Sequence, residues 1–384
     1  MDIVQKRIGI VGGGQLGKMM ILEAKRLGFH VVVLDPVADC PASSICDFHI
    51  VASLDDPKGY QKLAERVDVI TYEWENISAE ILGNLDKEGH LIYPSVASLK
   101  KIQNKFIQNT ELKNNGVPIP KFALIKNTDE IREYGKPEKF GYPMMLKTTT
   151  GGYDGKGVAP IKSEDYVEEA FRQLGSGIKE LMVEEFIDFQ KEISVIACRG
   201  INGSKTDYPV AENTHTNTIL DTTIVPAGIS EEISKKAAKI ATQVMTVFEG
   251  VGTFCTEMFL TKAGDIYVNE VAPRPHNSGH YTIEGCFANQ FENHIRAIVG
   301  LPFGDTSLRS PTVMVNLIGE SDGPTRLLGL EEAYRDPYVH IHLYGKSESK
   351  TGRKMGHYTV VGETVEDTLK RALDLKRLVR VVGD

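Results

Sequence analysis

Short apolar runs alternate with longer amphipathic stretches over the first hundred residues. The runs at 8–11, 31–35 and 67–72 read as strands, with a shorter one at 91–93. Between them, 16–27 and 77–85 carry apolar residues at helical spacing, and 96–114 reads as one helix opened by Pro94-Ser95. Strands alternating with helices predict a parallel α/β sheet. The sequence Gly116-Val-Pro-Ile-Pro120 ends this region, because proline cannot continue a helix and pushes its predecessor towards extended backbone. The middle of the chain has another rhythm. Strand-like runs at 144–147, 181–186, 192–199, 252–260 and 265–271 fall in neighbouring pairs, with a Gly264-Asp265 turn between the last two. That predicts antiparallel α+β structure. Helices are expected over 230–248, capped by Ser230 with Glu231 and Glu232 in its first turn, and over 292–299. The tail reads as strands at 313–318, 339–344 and 357–361 and a closing helix at 364–378.

Composition narrows the function. The 384 residues are 41% hydrophobic and 25% charged, an ordinary globular balance, and the net charge is −8. An acidic chain is a poor general nucleic-acid binder. Five cysteines without a CxxC pair argue against a disulfide framework or a zinc site and for small buried thiols in a reducing compartment. No run approaches the ~20 apolar residues of a membrane span, and the N-terminus has no signal-peptide pattern, so a cytoplasmic protein is expected. Glycine is abundant at 36 residues, and eight of these cluster in two loops, four in each.

The first loop, Gly12-Gly-Gly14-Gln-Leu-Gly17, follows a strand, precedes a helix and matches GxGxxG; Asp35 ends the next strand. A dinucleotide fits this pattern, another phosphorylated ligand held by helix N–H groups fits it too, and tight packing with no ligand is the third reading. The second, Lys147-Thr-Thr-Thr-Gly-Gly-Tyr-Asp-Gly-Lys-Gly157, is rich in donors and suits a polyphosphate, although it is not a Walker A loop. Glu257 and Glu270 sit on the two arms of the predicted hairpin, where facing carboxylates beside a polyphosphate suit Mg²⁺. Directly after them comes Ala272-Pro-Arg-Pro-His-Asn-Ser-Gly-His280: Arg274 offers a fork for an oxyanion, and His276 or His280 a proton. Val183-Glu-Glu-Phe-Ile187 with Glu192 suits an adenosine hinge, and Lys346 with Arg353-Lys354 makes a basic cluster in the tail.

In this order the motifs resemble the ATP-grasp enzymes: Lys105, Lys147 with its loop, the Glu184 segment, Glu192, Glu257 and Asn269-Glu270. The resemblance is strongest to the 5-(carboxyamino)imidazole ribonucleotide synthase family. It is carried by residues 9–17, Thr71-Tyr-Glu-Trp-Glu-Asn76, residues 150–157, Glu212-Asn-Thr-His215 and Arg274-Pro-His-Asn-Ser-Gly-His280. Trp74 departs from the pattern, which more often has phenylalanine or an aliphatic residue there. The resemblance implies an ATP-grasp fold, α/β and α+β, with a Rossmann-like parallel-sheet domain over 1–103. The ATP-grasp domain would span 104–302, with a flexible lid lobe about 120–190, and a small β-rich domain 303–384. It implies ATP-dependent carboxylation of aminoimidazole ribonucleotide by bicarbonate through carboxyphosphate, in purine biosynthesis, by a homodimer.

The implied roles follow the motifs. ATP would be held by Lys105, Lys147, Gly152, Gly155, Gly157, Glu184, Glu185, Phe186, Ile187, Glu192, His215 and Asn269, and two Mg²⁺ ions by Glu257 and Glu270. Arg274, His276, Tyr153, Asp154 and Lys156 would serve the chemistry. The ribonucleotide would meet Gln15, Leu16, Glu73, Glu75, Asn277, Lys346, Arg353 and Lys354, so the GxGxxG loop would not hold a dinucleotide. The site is expected to be a positive island in an acidic chain. The alternatives are another ATP-grasp ligase, such as formate-dependent glycinamide ribonucleotide transformylase, and an NAD-dependent dehydrogenase built on the first loop. The latter leaves the second loop and the Glu257/Glu270 pair without a role.

Overall fold

The computed structural model describes residues 5–152, 155–175 and 178–384. The first sheet is parallel, in the order Phe48–Val51, His30–Asp35, Arg7–Val11, Val69–Tyr72. Its strands are apolar along their length because both faces are covered. Helix Gln15–Arg26 buries Met19, Met20, Ile21 and Ala24 on one side, where they share a core with Phe291, Ile295 and Ile298 of helix Gln290–Val299. The expected strand at 91–93 contributes a single rung, Ile92 beside Ile70.

The expected helix over 96–114 is two helices, Val96–Gln103 and Lys105–Asn114. Asn104 breaks the run by taking an extended conformation and capping the second helix, its Oδ1 accepting from Phe106 N and Ile107 N. A side chain that offers the backbone an alternative acceptor competes with helix continuation. Apolar periodicity is blind to that competition. The break also frees Lys105 N to donate to Thr149 O at 2.7 Å, which ties the start of this helix to the second glycine loop.

The middle of the chain forms two antiparallel sheets. The smaller has the order Phe122–Ile125, Leu181–Glu185, Met144–Thr148, Val158–Ile161 and packs against helices Thr128–Tyr134 and Val167–Gln173. The larger runs Ile266–Ala272, Gly252–Thr261, Phe189–Arg199, Ala211–Thr216, Ile219–Val225, Thr312–Ile318, Lys354–Val361, Val339–Leu343. Helix Glu231–Phe248, capped by Ser230 as expected, buries Ile240, Val244 and Phe248 against it. The sheet passes without interruption from the middle region into the tail, through the pairing of Ile219–Val225 with Thr312–Ile318. Strands Ala211–Thr216 and Ile219–Val225 are not visible as apolar runs, because the sheet buries polar Asn213, Thr222 and Thr223 there. All five cysteines are free, and among the described residues no helix is long and apolar enough to cross a membrane.

Asn104→Ala should lower stability by about 1 kcal/mol in urea unfolding, the usual worth of an N-cap. Asn104→Asp, which keeps the acceptor, should lose much less; equal losses would show that the cap is not what the asparagine contributes.

Candidate active site

Glu257 and Glu270 stand directly opposite each other in the pairing of Gly252–Thr261 with Ile266–Ala272, with a bulge immediately after Glu257. The helix break places Lys105 Nζ 2.7 Å from Glu270 Oε1. Lys147 Nζ lies 2.5 Å from Glu184 Oε1 and 3.5 Å from Asn269 Oδ1, while Asn109 Nδ2 donates to the other Glu184 oxygen at 3.2 Å. Arg274 grips Glu75 with both arms of its fork, Nη2 to Oε1 at 3.0 Å and Nε to Oε2. His215 Nδ1 pairs with Glu192. Around the carboxylate pair the expected positive island is therefore a set of alternating charges, in which Lys105, Lys147, Arg274 and His215 each have an acidic partner.

Protonation follows from this layout. Burial, helped by Glu270 opposite, pushes the Glu257 carboxyl up to about 7. Burial opposes charge on His215 too, yet the Glu192 carboxylate holds its pKa above the ordinary histidine range. Burial, with Arg274 and Lys354 nearby, drives His276 well below that range, so it is neutral. Its Nδ1 accepts from Ser278 N at 3.3 Å, which leaves the proton on Nε2, 3.6 Å from Glu257 Oε1.

Two features around His276 are not legible in sequence. Gln290 clamps its backbone, accepting from His276 N at 2.9 Å and donating to His276 O at 2.7 Å. A buried polar chain also reaches its ring: Thr223 Oγ1 donates to Asn213 Oδ1 (3.0 Å), Asn213 Nδ2 to Ser194 Oγ (2.9 Å) and Ser194 Oγ to Ser278 Oγ (2.9 Å), which lies 3.0 Å from His276 Nδ1. Asn213 belongs to the Glu212-Asn-Thr-His215 motif, and this chain gives the motif a physical reason.

The first glycine loop has its donors engaged by the protein itself. Gly13 N donates to Asp35 Oδ2 at 2.7 Å, and Gly14 N and Gly17 N donate to Glu73, the latter at 2.6 Å. Gly12 has φ +96°, and a Cβ there would meet Glu73 Cγ at 2.5 Å. The acid that a dinucleotide's ribose would need, and the helix N-terminus its phosphates would need, are thus both occupied. Glu73 lies beneath the loop as its anchor. Gln15 begins the following helix half-buried, while Leu16 is buried in the core beneath it.

The other expected residues fall in distinct places. Asn277 exchanges two hydrogen bonds with Asn316 of strand Thr312–Ile318, at 3.0 and 2.8 Å. Lys346 Nζ donates to Lys354 O at 2.7 Å, and Arg353 Nη1 to Glu348 O at 2.9 Å. The charge of Lys354 acts on His215, Glu257 and His276, so it borders the carboxylate pair. In the second loop Gly152 packs on Lys156 O and Gly157 on Thr148 Oγ1. Glu185 pairs with exposed Lys121, and Phe186 and Ile187 continue from that strand, Phe186 exposed. Tyr153 and Asp154 lie outside the described residues. Cys255, Glu257 and His276 bring ligand atoms within 4.8 Å of one another, and the Glu270 carboxylate stands opposite Glu257 on the neighbouring strand. This fits a divalent cation that keeps oxygen ligands.

A parallel-sheet domain, an antiparallel ATP-binding core and facing carboxylates flanked by two lysines define an ATP-grasp ligase. Family models agree: a ribonucleotide synthetase preATP-grasp domain matches residues 5–103, an ATP-grasp domain 110–291, and a phosphoribosylaminoimidazole carboxylase C-terminal domain 312–371. The N5-carboxyaminoimidazole ribonucleotide synthase of Bacillus subtilis is 40% identical over 368 residues, 94% of this chain and 93% of that protein. The crystal structure of the synthetase from Thermotoga maritima superposes with a TM-score of 0.90 at 47% identity, covering 99% of this chain and 100% of that one. The Aspergillus clavatus enzyme, solved with ADP and 5-aminoimidazole ribonucleotide, does so at 0.90 and 34% identity, covering 98% of each. The chain belongs to the N5-carboxyaminoimidazole ribonucleotide synthase family.

Glu75→Gln leaves the part-buried Arg274 guanidinium without a counter-charge, and should lower stability by about 2–3 kcal/mol in urea unfolding. Glu185→Gln, which breaks the exposed pair with Lys121, should lower it by less than about 1 kcal/mol. Similar values for the two would remove the Arg274–Glu75 pair from the account of this site.

Proposed function

We propose that the chain joins bicarbonate to the exocyclic amine of 5-aminoimidazole ribonucleotide at the expense of ATP, giving N5-carboxyaminoimidazole ribonucleotide, ADP and phosphate. The observation that carries this reading is the Glu257/Glu270 pair with Lys105 on one side and Arg274–His276 on the other, in a chain of this family. A bicarbonate oxygen attacks the γ-phosphorus as ADP leaves. The carboxyphosphate formed, or CO₂ released from it, then meets the amine, which loses a proton as the carbamate forms. Phosphoryl transfer of this kind depends on placement and charge neutralisation more than on covalent help.

The residues suit those steps. Lys105 and Lys147 would exchange their carboxylate partners for phosphate oxygens, and Asn269 lies within reach of the same ammonium. Glu192, His215 and the Glu184–Ile187 segment would hold the nucleoside, with Glu184 acting through Lys147. Glu257 and Glu270 would hold Mg²⁺, which neutralises phosphate charge when bound. Arg274, fixed by Glu75, would orient bicarbonate, and neutral His276 offers an N–H to an oxyanion. Lys156 and the glycines at 152, 155 and 157 would cover the phosphates, with Tyr153 and Asp154 entering beside them. Excluding water matters because carboxyphosphate hydrolyses. Gln15, Leu16, Glu73, Asn277 and the Lys346/Arg353/Lys354 cluster would form the ribonucleotide side, several of them by supporting backbone. The same reading includes a cytoplasmic homodimer acting on small molecules without a nucleic-acid or membrane partner. The chain's acidity and the lack of a spanning helix among the described residues support the latter.

ADP release should require Mg²⁺ and bicarbonate and rise sharply with 5-aminoimidazole ribonucleotide; stimulation by formate with glycinamide ribonucleotide instead would favour the transformylase. Glu270→Gln should reduce turnover at least ~100-fold, the scale of a lost electrostatic contact at a reacting centre. Lys346→Ala should raise KM for the ribonucleotide several-fold with KM for ATP little changed, and an equal rise in both would move Lys346 out of the ribonucleotide pocket.

A further inference from the structure

Strands Ala211–Thr216 and Ile219–Val225 are joined by Asn217 and Thr218 alone, and both residues have positive φ, 50° and 66°. Two left-handed residues give a tight hairpin the twist its strands need, a turn usually built from Asn-Gly. Asparagine tolerates that conformation. Threonine, branched at Cβ, is strained in it. The strained position makes a specific contact across the site. A Cβ on Gly155 would lie 2.5 Å from Thr218 Cβ and 2.9 Å from its Cγ2, so only glycine lets the second loop come this close. Gly155 itself has φ +76°. The loop's base is fixed, since Thr148 N donates to Gly157 O at 2.9 Å. The hairpin is fixed as well, by His215 on Glu192 and by Asn213 in the polar chain beneath His276. A rigid post thus rises from the floor of the site and, among the described residues, meets the glycine loop at Gly155.

Resting on the function proposed above, we propose that Thr218 is a positioning residue, the seat on which the glycine loop closes over the ATP phosphates. Strain at a residue that meets a loop of this kind is expected where the surrounding structure holds that residue for a purpose. The seat makes the closed loop the preferred state with nucleotide bound, so the acyl phosphate is kept from water until the amine arrives.

The test uses the full-length protein. Thr218→Gly removes the strain and the side chain together, so its melting temperature should not fall. Its ADP formed per ribonucleotide carboxylated should nevertheless rise several-fold, and trypsin should cut after Lys156 several-fold faster in the presence of ADP than it cuts the wild type. Thr218→Ser, which keeps Cβ and the hydroxyl, should stay near wild type in both readouts. Gly155→Ala should lose activity, and adding Thr218→Gly should restore several-fold of that loss by vacating the space. Unchanged protection in Thr218→Gly, or strictly additive losses in the double variant, would overturn the seat. Protection by ADP needs only a nucleotide site, so it reports on the seat even if the ribonucleotide proves not to be the substrate.

Discussion

Two acidic side chains face each other across one rung of a buried sheet, and much of the site follows from that repulsion. Like charges on facing strands, each partly withdrawn from water, interact more strongly than at an open surface. Lys105 offsets Glu270, and it can do so because Asn104 ends one helix and starts another at the required point. Glu257 faces the neutral ring of His276, and it is the carboxyl held up to about 7. The basic side chains meanwhile wait in pairs, Lys147 with Glu184 and Arg274 with Glu75. Pre-pairing keeps long, flexible side chains in one rotamer, so less ordering remains to be done when phosphate replaces carboxylate.

The glycine loops illustrate how one composition feature divides into different physics. In the first loop, glycine lets the backbone wrap around the protein's own carboxylate, Glu73, and the resulting surface is finished before any ligand arrives. In the second, glycine allows close approach within the loop, at Thr148, and between the loop and an element distant in sequence, at Thr218. The acidity of the chain is consistent with both. Local order of charge, not net charge, decides what the site attracts.

Regular patterning made much of the architecture readable. The parallel strands, the helix over Glu231–Phe248 and the hairpin with its Gly264 turn stand where alternation and capping residues place them. What could not be read depends on partners far along the chain. Glu73 reaches a loop about sixty positions earlier, and Gln290 reaches back to His276. Asn277 exchanges hydrogen bonds with Asn316, 39 positions further along. The strands bearing Asn213 and Thr223 bury hydroxyls and amides that satisfy one another, so hydropathy reports them as surface. Motif order, by contrast, names residues that the structure sets side by side: Lys105 beside Glu270, Lys147 beside Asn269 and His276 beside Glu257, of which only the Glu257/Glu270 pairing follows from local spacing.

The uninterrupted large sheet has a consequence for how the molecule is made. Strand Ile219–Val225 pairs on one side with Ala211–Thr216 and on the other with Thr312–Ile318. A ribosome adds the roughly 90 intervening residues at about 5–20 per second, so that edge stands uncovered for some seconds on each nascent chain. An unpaired edge is a template for another chain. This strand carries buried threonines and an aspartate, Thr222, Thr223 and Asp221, in place of a continuous apolar face. The polar character that hid it from sequence reading would also make it a poor nucleus for aggregation while it waits on the ribosome.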